Sequence, residues 1–197
     1  TREMKVFISS VIEGLEDVRK DLANGLAKSG HQPIMQEHFG SRPNPPLEEC
    51  LAAVRESDAV VLLFGTRYGS RVPNSTLSYT HSEFQAARAI KRPVFVCVIA
   101  DAPPPSKGDE VPVAEFRREV GASCVWDSVP LADVVKSCLA SVAGYLTRSQ
   151  TPRFFQILTD HFAPYLDSTN VFNHSLALFG REEQTQEVEM AILGGRR

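Results

Sequence analysis

Two unbroken apolar runs limit the folds open to this chain more than any other feature of its sequence. The first runs from Asp58 to Gly65 (D-A-V-V-L-L-F-G) and the second from Pro93 to Ala100 (P-V-F-V-C-V-I-A). Neither run alternates between apolar and polar residues, which is typical of parallel strands that are covered on both faces. We therefore expect these two segments to form the centre of a parallel sheet.

Weaker strand patterns and helical patterns surround these runs. The weaker strands are predicted at Met4–Ser9, Gln32–Met35 and Ser123–Trp126. Amphipathic helices are predicted at Gly14–Ser29, Leu47–Val54, Thr80–Lys91, Val113–Val120 and Leu131–Leu146. Five strands that alternate with five helices predict an α/β fold, a flavodoxin-like parallel sheet in the order 2-1-3-4-5 with helices on both faces. In such a sheet the ligand lies beyond the carboxyl ends of strands 1 and 3, where the winding reverses.

The character of the sequence changes after Leu146. We predict one α/β domain over residues 1–147, a helical linker region over 148–176 and the start of a further module over 177–197. The linker begins with a polar stretch that ends at Pro152, as domain boundaries often do. The apolar residues of its predicted helix are Phe154, Phe155, Ile157, Leu158, Phe162 and Leu166.

Composition excludes several classes of protein. With 24 acidic and 21 basic side chains the formal net charge is −3, which does not favour direct nucleic-acid binding. The histidines have no metal-ligand spacing, so no metal site is expected. No apolar run approaches the ~20 residues of a membrane span, and no signal peptide is recognisable. The four cysteines, none in a C-x-x-C pair, predict isolated buried thiols in a reducing compartment. We therefore expect a soluble, cytoplasmic protein without a membrane partner.

Two of the segments that should meet at the predicted crevice follow the first and third strands. Ser9 and Ser10 end the first strand, and their hydroxyls can reach a phosphate or a ribose. The equal alternative is that both residues only end the strand and begin a turn. Gly65–Ser70 (G-T-R-Y-G-S) follows the third strand. In it, Arg67 can pair with a phosphate or remain a solvated loop cation, and Tyr68 can stack on a base.

The third segment, Ser78–Phe84, opens the next helix and carries Glu83. The pattern Thr80-x-x-Glu83 fits a capping box, in which the glutamate reaches back to the backbone N–H of Thr80. The positive end of the helix should then keep Glu83 ionised near neutral pH. An ionised carboxylate at this place can also stabilise an oxocarbenium-like ribose while a base departs. His81 is expected at the surface or beside the cap, since the pattern provides no partner carboxylate for it.

The phosphate-binding motifs G-x-G-x-x-G and G-x-x-x-x-G-K-[ST] are not present in the sequence. A long polar turn rich in proline and glycine runs from Glu37 to Pro46. Glu37 is a candidate site residue there, and an ordinary surface position is the alternative.

Three motifs resemble a family of TIR-like domains found at the N-terminus of STAND (NLR-like) signalling NTPases. These motifs are K-V-F-I-S-S at Lys5–Ser10, G-x-R-Y-G-S at Gly65–Ser70 and S-Y-T-H-x-E-F at Ser78–Phe84, and the resemblance covers Met4 to Leu146. Near the end of the chain, Phe179–Glu183 (F-G-R-E-E) resembles the segment that opens STAND ATPase modules shortly before their P-loop.

The resemblance implies roles for individual residues. Glu83 falls where TIR enzymes hold the glutamate that is required to cleave the nicotinamide–ribose bond of NAD. The expected substrate-binding residues are Ser9, Ser10, Glu37, Arg67, Tyr68 and Thr80, with Glu37 in a loop comparable to the mobile TIR BB loop. Phe84 stands where the family often has tyrosine.

The function that follows from the resemblance is an NAD-cleaving effector of a bacterial antiphage STAND NTPase, activated by oligomerisation. NAD would be its substrate, with no further cofactor and no metal. Its partners would be other copies of the TIR-like domain and the C-terminal NTPase and sensor regions of the same protein. Two alternatives remain open: a non-enzymatic homotypic interaction module, and an enzyme similar to nucleoside (deoxy)ribosyltransferases, which share the sheet order and use a glutamate.

Overall fold

The computed structural model describes residues 3–36, 47–102, 104–105 and 107–147 of the chain. Its strands are β1 (Lys5–Ser9), β2 (Gln32–Ile34), β3 (Ala59–Phe64), β4 (Val94–Ile99) and β5 (Trp126–Val129). Its helices are α1 (Glu16–Lys28), α2 (Leu47–Glu56), α3 (Tyr79–Ala89), α4 (Glu110–Ser123) and, after a short 3-10 turn at Leu131–Asp133, α5 (134–147).

The strands form one parallel sheet in the order β2-β1-β3-β4-β5. This is the predicted flavodoxin-like α/β order, so that prediction is confirmed. Phe7 of β1 lies opposite Val60 of β3 in register, and Leu62 of β3 lies opposite Val96 of β4. The chain leaves β1 for β2 on one side and returns to β3 on the other. The reversal of winding therefore opens beyond the carboxyl ends of β1 and β3.

The two apolar runs are central because both faces of their strands are covered. Every residue of β3 is buried. On one face, Val61 and Leu63 of β3 belong to a core that also contains Leu22 of α1 and Val134 of α5. On the other face, Val60 packs in a cluster with residues of α2 and α3, and a third cluster joins β3 and β4 to α4. The sheet thus lies between two helical layers.

The prediction for the last strand is wrong by about three residues. The sequence favoured Ser123–Trp126, whereas β5 is Trp126–Val129 and α4 continues to Ser123, beyond its predicted end at Val120. β5 is an edge strand whose two central residues are exposed, so its own pattern is weakly apolar. The more apolar neighbour Val125 is 96% exposed. Apolar composition therefore pointed to the connection rather than to the strand.

Several predictions lie outside the described residues: Glu37 and its polar turn, the linker over 148–176 and the further module over 177–197. Within the described part of the chain, no helix is long and apolar enough to cross a membrane. The same residues contain no cluster of three or more histidine, cysteine, aspartate or glutamate side chains arranged to hold a metal ion. All four cysteines are free thiols, with Cys50, Cys97 and Cys138 buried and Cys124 half-buried.

Candidate functional site

Glu83 lies against the carboxyl end of β1, and both of its carboxylate oxygens accept hydrogen bonds. The hydroxyl of Ser9 donates to Oε2 at 2.5 Å, and the amide Nε2 of Gln36 donates to Oε1 at 2.7 Å. The side chain of Glu83 is 1% exposed. The structure thus brings together two residues that are 74 positions apart in sequence and that the sequence assigned to one crevice.

The predicted capping box is wrong. α3 begins at Tyr79, and its N-cap is Ser78, whose hydroxyl accepts the backbone N–H of His81 at 3.2 Å. Glu83 therefore lies in the second turn of the helix rather than in the first. Its carboxylate turns towards β1 and is not used to cap Thr80. Thr80 is itself buried, at 7% exposure.

The expectation that the end of the helix keeps Glu83 ionised near neutral pH does not hold, because Glu83 does not lie in the first turn. Burial raises the pKa of Glu83 from 4.5 to about 7, because a charge that leaves water loses its hydration. The hydrogen bonds from Ser9 and Gln36, and the charge of Arg19, oppose that rise without cancelling it. Both protonation states of Glu83 are consequently populated near neutral pH.

Cys50 of α2 completes the surroundings of this carboxylate. The Nε2 atom of Gln36 lies 3.4 Å from the Cys50 sulfur, and the thiol also hydrogen bonds Glu83. Burial, followed by the nearby charge of Glu83, raises the pKa of the Cys50 thiol to about 12. Cys50 is therefore a neutral thiol here and not a nucleophile. We call Ser9, Gln36, Cys50 and Glu83 the carboxylate pocket.

Arg19 is a site residue that sequence reasoning missed. It lies on α1 with 0% exposure, and its Nη1 donates to the hydroxyl of Ser10 at 2.7 Å and to the carbonyl of Ile8 at 3.5 Å. Ser10 in turn donates to the carbonyl of Val11 at 2.8 Å. Ser10 is thus tied to α1, on the other side of the β1 terminus from Glu83. Buried guanidinium groups are rare without such partners.

A cavity of about 120 Å³ lies at the carboxyl ends of β3 and β4, beside the carboxylate pocket. Glu83 is not one of the residues that line it. The predicted substrate-binding residues that line it are Arg67, Tyr68 and Thr80, and Gly65 and Thr66 line it beside them. The remaining walls are mostly apolar and include Phe64 and Phe116. The predicted site residues are therefore divided between two neighbouring places.

The connection Gly65–Ser70 is held close to the end of β1 by a turn that requires glycine. Gly69 has φ +81°, and a Cβ on it would lie 3.0 Å from Val11. At the cavity mouth Arg67 forms an ion pair with Glu13, whose side chain is 75% exposed. The guanidinium of Arg67 thus pairs with an exposed carboxylate of the same chain, and phosphate binding and a solvated loop cation both stay predictions.

Of the two positions predicted for His81, at the surface or beside the cap, the structure shows the second: its backbone N–H donates to the N-cap Ser78, and its side chain is buried. It is 5% exposed, and its ring stacks on that of Phe116 with centroids 4.1 Å apart. Its Nδ1 lies 2.9 Å from the hydroxyl of Tyr68, and its Nε2 lies 2.8 Å from Oε2 of Glu119. The sequence pattern could not provide this carboxylate, because Glu119 follows His81 by 38 positions and belongs to α4. We call Tyr68, His81 and Glu119 the tyrosine–histidine chain.

Comparison with known proteins gives distant structural likenesses. No curated protein matches the chain at a significant level. The chain is similar to the "Crystal Structure of a prokaryotic SEFIR domain" at 19% identity, over 68% of this chain and 92% of that one, with a TM-score of 0.45. It is also similar to the "Structure of the activated Roq1 resistosome directly recognizing the pathogen effector XopQ (TIR domains)" at 19% identity, over 96% of this chain and 99% of that one, with a TM-score of 0.41.

These likenesses are too distant to carry an argument, and the fold assignment rests on the sheet order of the chain itself. A sequence family, described as "Domain of unknown function (DUF4062)", matches residues 5–129. That range includes all five strands and ends at the last residue of β5. Because the match covers more than half of the sequence, the chain belongs to the DUF4062 family.

Proposed function

We propose that this chain cleaves the nicotinamide–ribose bond of NAD and that Glu83 is the catalytic residue. The observation that supports this most directly is the environment of Glu83: a fully buried carboxylate at the carboxyl end of β1, with a pKa of about 7. Strongly shifted acids of this kind are concentrated at functional sites. The TIR-like resemblance of the motifs around Ser9, Arg67 and Glu83 supports the same assignment.

The chemistry needs one well-placed negative charge. The C1′–N bond of NAD breaks and its electron pair goes to the pyridinium nitrogen, so nicotinamide leaves as a neutral molecule. The ribose acquires oxocarbenium character, and the ionised form of Glu83 stabilises that positive charge in a site with little water. Water then adds to C1′ and gives up a proton. The products are nicotinamide and ADP-ribose.

The burial of Glu83 suggests that the isolated chain is silent. Ser9 and Gln36 occupy both carboxylate oxygens, and the side chain is 1% exposed. A ribose can contact Glu83 only after at least one of these hydrogen bonds is exchanged for substrate. We propose that self-association of the domain provides that rearrangement and so controls the reaction.

The wider context is proposed on the sequence alone. The resemblance to TIR-like domains of STAND NTPases, together with Phe179–Glu183, suggests an effector of a bacterial antiphage protein whose NTPase and sensor regions drive oligomerisation. Depletion of NAD in the cytoplasm would then stop the infected cell. Residues 179–183 lie outside the described part of the chain, so this context depends on the sequence motif only.

A second candidate function is a non-enzymatic interaction module. The inaccessibility of Glu83 favours it, because a carboxylate with both oxygens satisfied within the fold also stabilises that fold. This candidate predicts self-association that continues after Glu83 is replaced, without any nucleotide turnover. Light scattering on the wild type and on Glu83→Ala measures the first of these properties directly.

The test of the proposed activity compares the full chain, clustered at high density on beads, with two variants. Glu83→Gln removes the charge and keeps the size, and Glu115→Gln on the exposed side of α4 is the matched control. We expect nicotinamide release by the wild type, a fall of roughly 10²–10³-fold in Glu83→Gln, and no change in the control. Equal rates in wild type and Glu83→Gln, or no release from any of them, would overturn the assignment.

A further inference from the structure

The tyrosine–histidine chain connects the cavity with the protein surface. Tyr68 lines the cavity and is 4% exposed. Its hydroxyl contacts His81, and His81 contacts Glu119, whose side chain is 41% exposed. The two hydrogen bonds, of 2.9 and 2.8 Å, are continuous through opposite nitrogens of one imidazole ring. Neither His81 nor Glu119 has a role in the reaction described so far.

The imidazole ring is held in one orientation by contacts that do not depend on its proton. It stacks on Phe116 with an angle of 14° between the ring planes. Gln85, one turn further along α3, donates to both oxygens of Glu119 at 3.2 Å and so fixes the carboxylate as well. A ring fixed in this way can accept a proton at Nδ1 without rotating, while Nε2 keeps its contact with Glu119.

The proton positions follow from the partners. The carboxylate of Glu119 can only accept, so Nε2 of His81 carries a hydrogen. In neutral His81 the other nitrogen, Nδ1, is then an acceptor, and the Tyr68 hydroxyl donates to it. The phenolic oxygen of Tyr68 keeps its lone pairs, so it can accept a hydrogen bond from a molecule in the cavity.

We propose that the tyrosine–histidine chain is the base that activates the nucleophile, held in the cavity, for attack on the ribose. This inference rests on the proposed function. The nucleophile, water or another hydroxyl, transfers its proton to the Tyr68 oxygen while the Tyr68 proton passes to Nδ1 of His81. The nucleophile oxygen forms its bond to the oxocarbenium-like C1′, which nicotinamide has left with the electron pair of the C1′–N bond. His81 becomes an imidazolium, which the carboxylate of Glu119 beside Nε2 stabilises, as the acid does in a catalytic triad.

The position of the cavity suits this role. Thr80 lines the cavity and precedes Glu83 by three residues on α3. Side chains three residues apart on a helix are neighbours, with about 5–6 Å between their Cβ atoms. One wall of the cavity therefore lies within one helical turn of Glu83. At about 120 Å³ the cavity holds a few water molecules or one small hydroxyl compound.

Glu83 and the tyrosine–histidine chain then have different roles in the reaction. Glu83 stabilises the positive ribose, and Tyr68 receives the proton of the attacking oxygen. Within the tyrosine–histidine chain, Tyr68 is the catalytic residue because it touches the nucleophile. His81 and Glu119 act through Tyr68 and are positioning residues.

Azide separates this role from a structural one. Azide is an anionic nucleophile that needs no base, so it bypasses the relay and converts NAD to ADP-ribosyl azide and nicotinamide. The variants are His81→Gln and Glu119→Gln, and the control is Glu115→Gln on the exposed side of α4. All are assayed as the full chain clustered on beads, with and without azide, and the azide adduct is identified by mass spectrometry.

We expect kcat for hydrolysis to fall about 10²-fold in His81→Gln and Glu119→Gln, within the range for loss of a general base. KM should change little, azide should restore nicotinamide release in both, and Glu83→Gln should gain nothing from azide. Unchanged hydrolysis in the two relay variants overturns the relay alone. A loss that azide does not restore shows a structural role and also overturns it. No nicotinamide from the wild type, with or without azide, overturns the proposed function and the relay together.

A spectroscopic measurement tests the relay without turnover. The arrangement requires neutral His81 to carry its proton on Nε2. Nitrogen NMR of the imidazole distinguishes this tautomer from the Nδ1–H form. Finding the Nδ1–H form would overturn the relay, because Nδ1 could not then receive the Tyr68 proton.

Discussion

The carboxylate pocket and the tyrosine–histidine chain place an acid in opposite positions. In the pocket, Glu83 is buried and is approached by neutral donors. In the chain, Glu119 lies at the half-exposed end and a histidine is buried between it and the cavity. Both are reached from α3, which carries Glu83 and His81 two residues apart. Both acids are glutamates, so the raised pKa of Glu83 comes from its burial and not from its residue type.

The largest expected effect is on the pH dependence of the free energy of unfolding, because ionised Glu83 loses its hydration in the fold. Burial raises the pKa of Glu83 from 4.5 to about 7. Between pH 4.5 and 7 the native state therefore retains a proton that the unfolded state has lost. The stability of the wild type therefore falls as pH rises from about 4 to 8, by roughly 3 kcal/mol at 1.36 kcal/mol per pKa unit. Glu83→Gln removes this contribution. Chemical denaturation of both proteins across this range measures the difference.

A parallel pH dependence in the wild type and in Glu83→Gln would contradict this prediction. It would mean that the Glu83 carboxylate is hydrated in solution. Glu83 and Glu119 would then not differ in burial. Glu115→Gln, an exposed replacement of the same chemistry, is the control and should follow the wild type.

A smaller effect is expected at the tyrosine–histidine chain. Tyr68→Phe removes the hydroxyl that contacts His81 and leaves the buried ring in place. The loss of one buried hydrogen bond should destabilise the protein by about 1 kcal/mol. Tyr79→Phe, at a half-buried position in the first turn of α3, is the matched control, and its expected change is within about 0.5 kcal/mol. Equal unfolding free energies for the two variants would show that the Tyr68 contact does not hold in solution.

The smallest effect is expected at the cavity mouth. Glu13→Gln breaks the ion pair with Arg67, but the Glu13 side chain is 75% exposed. Solvent and salt screen such pairs, so the melting temperature should stay the same within error at low and at high salt. A clear fall in the melting temperature of Glu13→Gln that occurs only at low salt would contradict this. It would show that solvent screens the ion pair less than an ordinary surface pair, so the cavity mouth is intermediate in burial between the carboxylate pocket and the surface.

The sequence predicted the fold well where burial is two-sided and poorly where it is one-sided. β3 and β4 have apolar runs because both faces are covered, and these runs fixed their positions to within a residue at each end. β5 lies at the edge, so its residues need not be apolar and its position was missed. The strand order followed from topology rules that hold irrespective of sequence.

The candidate site was predictable only where topology alone brings residues together. Ser9 and Glu83 were assigned to one crevice because the ends of adjacent parallel elements meet there. Gln36 and Glu119 contact the site through packing across 47 and 38 positions, which no local spacing encodes. Arg19 carried a signal that could have been used, since it falls four residues after Leu15 on the apolar face of α1.

An error of two residues in the position of the α3 N-cap changes the role assigned to Glu83. Ser78 and Thr80 are both good N-cap residues, and the choice of Thr80 placed Glu83 in the first turn. The true cap is two residues earlier. Two residues correspond to about 200° of rotation around a helix. The same glutamate therefore changes from a cap of its own helix to a group aimed at the neighbouring strand.

The sharing of α3 has a thermodynamic consequence. Thr80 lines the cavity and Glu83 forms the carboxylate pocket, and less than one helical turn of rigid backbone separates them. Any displacement of α3 that admits a ligand to one place also changes the other. Where a ligand at one place changes the affinity at the other, the reverse change is by the same factor. In the reaction proposed above, a small molecule that fills the cavity would take the place of the attacking hydroxyl.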